Sequence, residues 1–185
     1  MNTRISMLIL IAFIGITVSH NTAVAAGPGT QNSIGLAFSS LSGAGISLQH
    51  QLAEEYYGRI TGLYYENRSE RTNDKDPNDT AFNHTVFWDM GGEIQRNLYS
   101  DTNSGTGVYL LTGGSYWHSK RKRPFEPEKS RTRNHYAWGA GIGFRILLRE
   151  NVSLNADLTY QYTDWLGYRQ KYVGPGAGIG GQIIF

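Results

Sequence analysis

The sequence predicts an all-β chain, an antiparallel up-and-down transmembrane β-barrel of about eight strands. Three observations predict it. First, Tyr172 to Phe185 alternates: Val173, Pro175, Ala177, Ile179, Gly181, Ile183 and Phe185 hold one parity, and Gly174, Gly176, Gly178, Gly180 and Gln182 the other. A strand shows its two faces at a period of two, and an apolar face opposite a glycine-and-amide face suits a sheet whose greasy side meets lipid. Second, period-two runs bounded by turn residues recur along the whole chain. Third, the composition is 39% hydrophobic with 23 glycines and 12 tyrosines, which fits a barrel in which only alternate residues face lipid while lumen and loops are polar.

Taken in order, residues 1–26 read as a cleaved secretory leader. Arg4 precedes the apolar run Met7 to Val18, and the small-residue end is Ala23-Val24-Ala25-Ala26; no run approaches the roughly 20 apolar residues of a spanning helix. The barrel domain is expected over 27–185. Losing the leader removes one of the 17 Lys and Arg residues against 15 Asp and Glu, so the mature chain is close to neutral and its net charge argues against nucleic acid. There is no cysteine, which excludes disulfides and thiol chemistry.

Strands are expected near 33–40, 44–52, 56–67, 84–98, 106–118, 135–148, 152–163 and 172–185. The clearest is 135–148, with Tyr136, Trp138, Ala140, Ile142, Phe144, Ile146 and Leu148 opposite Ala137, Gly139, Gly141, Gly143 and Arg145. In 152–163, Val152, Leu154, Ala156, Leu158 and Tyr160 oppose Ser153, Asn155, Asp157, Thr159 and Gln161. In 56–67 and 106–118 both parities are apolar, so their facing is open. Short connections fall at 53–55, 99–105 and 149–151, long loops at 68–83 and 119–134, and shorter links at 41–43 and 164–171, so the long loops share one end of the barrel. Trp88, Trp117, Trp138 and Trp165 all fall toward that end and are expected in an interfacial aromatic belt. Pro175 lacks an amide proton and reads as a bulge or strand start.

Gly139-Ala140-Gly141-Ile142-Gly143-Phe144-Arg145, then Asn151-Val152-Ser153-Leu154 and Leu158 to Asp164, resemble the penultimate hairpin of the opacity-protein and small outer-membrane-protein β-barrel superfamily. In residues the likeness covers about the last third of the mature chain. The resemblance implies a bacterial outer-membrane location, delivery by periplasmic chaperones and the barrel assembly machinery, and Phe185 as a C-terminal insertion signal.

Asp89, Glu93, Arg145 and Asp157 fall on polar faces, with Arg59 a candidate to join them. Inside a narrow barrel such groups must pair; the two readings are a salt-bridge network that plugs the lumen and a narrow ion path. The stretch 120–133 carries Lys120, Arg121, Lys122, Arg123, Lys129, Arg131 and Arg133 against Glu126 and Glu128. It reads either as an anion-binding loop, for lipopolysaccharide phosphates or acidic host glycans, or as a solvated connector. The turn-rich, polar 68–83 segment lacks the Gly and terminal Glu of a calcium loop, so no metal or other cofactor is expected.

For an enzyme, His118, Ser119, His135 and Glu126 are the nearest candidates, but adjacent strand residues point to opposite faces, which parts His118 from Ser119 as base and nucleophile. The expectation is a non-enzymatic outer-membrane barrel serving membrane integrity, adhesion or host contact through its outer loops. A lipid A-modifying enzyme and a narrow pore are the alternatives.

Overall fold

The computed structural model describes residues 32–73, 76–101, 105–166 and 170–185. The expected leader and Asp74 of the polar 68–83 segment lie outside the described residues. Eight strands run β1 Ser33–Ser39, β2 Gly43–Ala53, β3 Tyr56–Asn73, β4 Asp76–Asp101, β5 Thr106–Lys122, β6 Arg131–Arg149, β7 Val152–Leu166 and β8 Gln170–Ile184. Each pairs antiparallel with its neighbours in sequence, and β1 pairs with β8 from Ser33↔Ile184 to Ser39↔Gly178, closing the ring. Phe185 adds to this seam by donating its backbone N–H to Asn32 at 2.9 Å.

The expected strands are all present. The difference lies in the long loops. Residues 68–83 continue the β3–β4 ladder through Arg68↔His84 and Glu70↔Phe82 to Thr72↔Thr80, so most of that stretch is a hairpin projecting from the barrel. Lys120, Arg121 and Lys122 extend β5, while Arg131 and Arg133 open β6; only 123–130, with a 3-10 turn at Pro127–Lys129, is a connecting loop. Polar residues that resemble loop composition form strands here because a ribbon in water is satisfied by its cross-strand hydrogen bonds and needs no apolar face.

The alternation sets the two surfaces. Met90, Ile94, Trp138, Ile146, Leu154, Leu158, Ile179 and Ile183 point outward and are half or more exposed, apart from Leu154 at 44%. A continuous apolar belt of this kind is satisfied by lipid and not by water. The facing that the sequence leaves open in β3 and β5 is settled by Tyr57, Arg59, Thr61, Tyr109 and Leu111, all buried in the lumen. Their parity is ambiguous in sequence because the lumen has an apolar patch of its own: Leu41, Tyr109 and Leu111 form one buried cluster.

Leu41 reaches that cluster because the β1–β2 turn folds into the barrel. The Ser39 hydroxyl caps the turn, accepting the backbone N–H of Leu41 at 3.2 Å and of Ser42 at 3.3 Å. Gly43, at φ +82°, allows the tight return, and Gly91 leaves the room, since a Cβ there would lie 2.2 Å from the Ser42 carbonyl oxygen. With β1 and β2 stopping at this turn, the wall dips between β3, paired to β2 only from Gly62, and β8, paired to β1 only from Gly178. Pro175 lies in this open stretch of β8. Ser40 donates to the carbonyl of Ala177 at 3.1 Å, so the β1-facing side of β8 carries the odd residues and the missing N–H of Pro175 points into the dip, where no strand needs it. It is neither a bulge nor a strand start.

Ile142→Arg is expected to lower barrel stability by ~2–4 kcal/mol through the cost of an arginine on the lipid face, read as loss of heat-modifiable migration and lower urea midpoint. Gly141→Ala is expected to fail for a different reason: its Cβ would lie 2.2 Å from the Leu158 carbonyl oxygen, so assembly should suffer with no change in polarity.

Candidate functional site

Of the five expected lumen charges, four lie in one hydrogen-bonded chain. Arg59 Nη2 is 2.7 Å from Glu93 Oε1 and 3.1 Å from Asp157 Oδ2, all three side chains being essentially fully buried. The Tyr109 hydroxyl donates to Asp157 Oδ1. Gln95 Nε2 donates to Glu93 at 2.6 Å and its Oε1 accepts from Arg145 Nη2 at 3.0 Å. Among the described residues the Arg145 guanidinium makes no carboxylate pair; it lies over the rings of Tyr57 and Tyr109, 5.3 and 5.4 Å from their centroids. Two guanidinium groups and two carboxylates make this layer neutral, which a low-dielectric interior requires. Side chains at this level fill an eight-stranded barrel.

Asp89 does not belong to that network. It sits nearer the hairpin end and accepts the backbone N–H of Ala44 through Oδ2 at 2.9 Å, pinning the infolded turn. It is buried on the lumen side; its separation from Arg59 follows from the β3–β4 register, in which Arg59 stands opposite Glu93 and Asp89 opposite Leu63, four residues away.

The tryptophans divide. Trp138 points outward and is 60% exposed, and Trp88 stacks on His118 and Tyr116; with Tyr136 and Tyr162 they form the outer aromatic belt. Trp117 and Trp165 instead point into the barrel mouth, correcting their assignment to the belt. They meet edge to face at 5.4 Å, and His135 packs against both, at 5.1 and 4.6 Å. The signal was present for Trp165: it continues the lumen parity of Ser153 through Gln161 two positions past the expected strand end. For Trp117 the mixed parity of β5 hides it.

These rings wall a cavity of about 490 Å³ directly above the β1–β2 turn, with Asp89, Gln161 and Ser40 among its lining. Serine, histidine and aspartate thus share one pocket, but neither ring nitrogen of His135 has a hydrogen-bond partner, so no serine is held against it as a nucleophile against a base. His118 is bound elsewhere, to Asn134 at 2.6 Å. Among the described residues no three His, Asp or Glu side chains cluster at metal-ligand spacing.

At the hairpin end the basic residues differ in their partners. Glu126 takes both Arg123, at 3.1 Å, and Lys129, at 2.5 Å. Lys120, Arg121, Lys122 and Arg131 have no ion pair among the described residues, and Arg121 stands directly opposite Arg131 in the β5–β6 register. Nearby, Glu66 accepts from the Tyr64 hydroxyl, Arg68 and His84; these donors, Tyr64 foremost, hold its carboxyl below the usual carboxylate range. Sequence reading does not find this cluster, because it forms only across the β3–β4 ribbon.

No protein-family model and no curated protein matches the chain. Among solved structures it is similar to Neisserial surface protein A, at 15% identity over 84% of this chain and 95% of that one with a TM-score of 0.48. The N-terminal β-barrel domain of Pseudomonas aeruginosa OprF matches at 12% identity over 85% and 99% with a TM-score of 0.48. Ail, the attachment invasion locus protein of Yersinia pestis, matches at 17% over 84% and 97% with a TM-score of 0.41. At these scores the likeness carries no argument about function, which rests on this chain's own residues.

Two outcomes test the site. Arg59→Met should cost about 3–5 kcal/mol, because it strands Glu93 and Asp157 as unpaired buried carboxylates; adding Glu93→Gln and Asp157→Asn should recover most of that loss in urea unfolding. In single-tryptophan variants, Trp138 fluorescence should be quenched by brominated lipid and Trp165 by aqueous acrylamide; the reverse would invert the facing.

Proposed function

We propose that this chain is a non-enzymatic barrel of the bacterial outer membrane that contacts polyanions through the cationic end of its β5–β6 hairpin. The observation that carries this reading is the cross-strand pair Arg121↔Arg131. Like charges directly opposite each other destabilise a ladder, and a bound anion reverses the sign of that effect. Lys120 and Lys122 lie on the opposite face of the same strand, turned outward, so the hairpin offers cations both over the mouth and toward the surrounding lipid surface. The chemistry recognised is clustered phosphate or sulfate, whether on lipopolysaccharide in the same membrane or on an acidic glycan of another cell; Arg suits such groups through its planar fork of donors. A neutral, side-chain-filled layer across the lumen argues against a pore as the main role.

Lys120→Gln, Arg121→Gln, Lys122→Gln and Arg131→Gln combined should weaken binding to lipopolysaccharide and to heparin at least tenfold while leaving heat-modifiable migration intact, since these residues lie beyond the apolar belt. Binding should also fall steeply between about 0.05 and 0.5 M salt, as exposed charges are screened. Loss of lipopolysaccharide binding alone assigns the contact to the protein's own membrane, and loss of heparin binding alone to an external glycan. Binding that survives both substitution and salt refutes the reading.

A further inference from the structure

The cavity at the barrel mouth is lined by both polar and aromatic side chains. Asp89, His135 and Gln161 are each more than nine-tenths buried, at 8%, 8% and 7% exposure, and all three line it. Among the described residues Asp89 Oδ1, Gln161 Oε1 and both His135 ring nitrogens have no hydrogen-bond partner. Buried polar atoms of this kind are rarely left unpaired in a folded protein, and here the side chains that carry them border one space. Its walls are Trp117 and Trp165, set edge to face at 5.4 Å, and its volume of about 490 Å³ lies within the roughly 300–1,000 Å³ usual for small-molecule sites.

The chemistry of the lining selects the ligand. Asp89 Oδ1 and Gln161 Oε1 only accept hydrogen bonds, so the occupant must donate. The Ser40 hydroxyl and His135 can donate or accept, which suits groups that also do both. The tryptophan faces want flat C–H surface, not charge-dense groups. An anion is opposed by Asp89, and a small cation must approach beneath the uncompensated Arg121 and Arg131. A ligand that combines several hydroxyl donors with an apolar C–H face and no required charge is a sugar ring. We propose that this cavity is a saccharide-binding pocket for a single pyranose ring, with Asp89 and Gln161 accepting from its hydroxyls and the Trp117–Trp165 pair presenting one aromatic wall to a C–H face. This does not depend on the cationic hairpin: the contacts are short-range and buried, so salt should not weaken them.

The test uses the full mature chain refolded in a detergent without a sugar headgroup. Methyl glucoside, galactoside and mannoside and N-acetylglucosamine are titrated while tryptophan emission and saturation-transfer NMR are followed. Expected is saturable binding of at least one glycoside, unchanged by 0.5 M salt and weakened about tenfold or more by Asp89→Asn and by Trp165→Ala, since a hydrogen bond to a charged group and a stacked ring each contribute on that scale. Should Trp165→Ala not reach the folded gel position, Trp165→Phe and Gln161→Leu replace it. Octyl glucoside, added below its micelle concentration, separates a lipid-linked sugar from a free one by binding much more tightly than the methyl glycoside. The proposal is overturned if no glycoside binds at up to about 0.1 M, if binding is indifferent to both Asp89 and Trp165, or if choline displaces the sugar and binds with comparable strength.

Discussion

Ring closure is the constraint on which everything else depends. In hydrocarbon an unpaired backbone amide or carbonyl has no water to turn to, so a sheet can cross a membrane only if its first and last strands meet. Here they meet over the seven residues of β1, from Ser33↔Ile184 to Ser39↔Gly178. Because β1 is short, the seam is short, and the wall dips beyond it. The turn that ends β1 is drawn inward, and the open side of β8 carries a proline whose missing donor is no loss there. Closure and the dip are thus two results of one strand length.

The infolded turn divides the lumen into two layers with different electrostatics. Toward the short-turn end, Arg59, Glu93, Asp157 and Arg145 form a neutral layer in which each charge is answered by an opposite charge, an amide or an aromatic face. Such a layer adds less stability than its number of ion pairs suggests, since desolvation offsets most of the Coulombic gain, but it makes removal of a single member costly. Toward the hairpin end, Asp89 is committed through one oxygen to the turn, and its side chain borders the cavity above it. The same residue type answers an arginine in one layer and a backbone N–H of the turn in the next.

Outside the membrane belt the hairpins follow other rules. The β3–β4 and β5–β6 ribbons keep their ladders without burying an apolar face, and their charges answer to solvent. Glu66 gathers three donors across one ribbon, while Arg121 and Arg131 oppose each other across the next. A hairpin with satisfied charge beside one with unsatisfied charge gives the exposed end of the barrel a directional electrostatic character that its near-neutral net charge conceals.

The sequence by itself determined the barrel, its strand order and the facing of β4, β6, β7 and β8, because a period of two is local and survives any tertiary arrangement. It also placed Asp89, Glu93, Arg145 and Asp157 inside and the basic residues at the hairpin end. It misread strand extensions as loops, since strands in water lose the apolar alternation that marks strands in lipid. Only the tertiary structure decided that Leu41 lies in the lumen and that Trp117 and Trp165 leave the belt for the mouth. Those outcomes depend on how far one seven-residue strand reaches and on which side chains then share the space above its turn, and such distances arise only when strands remote in sequence close into a ring.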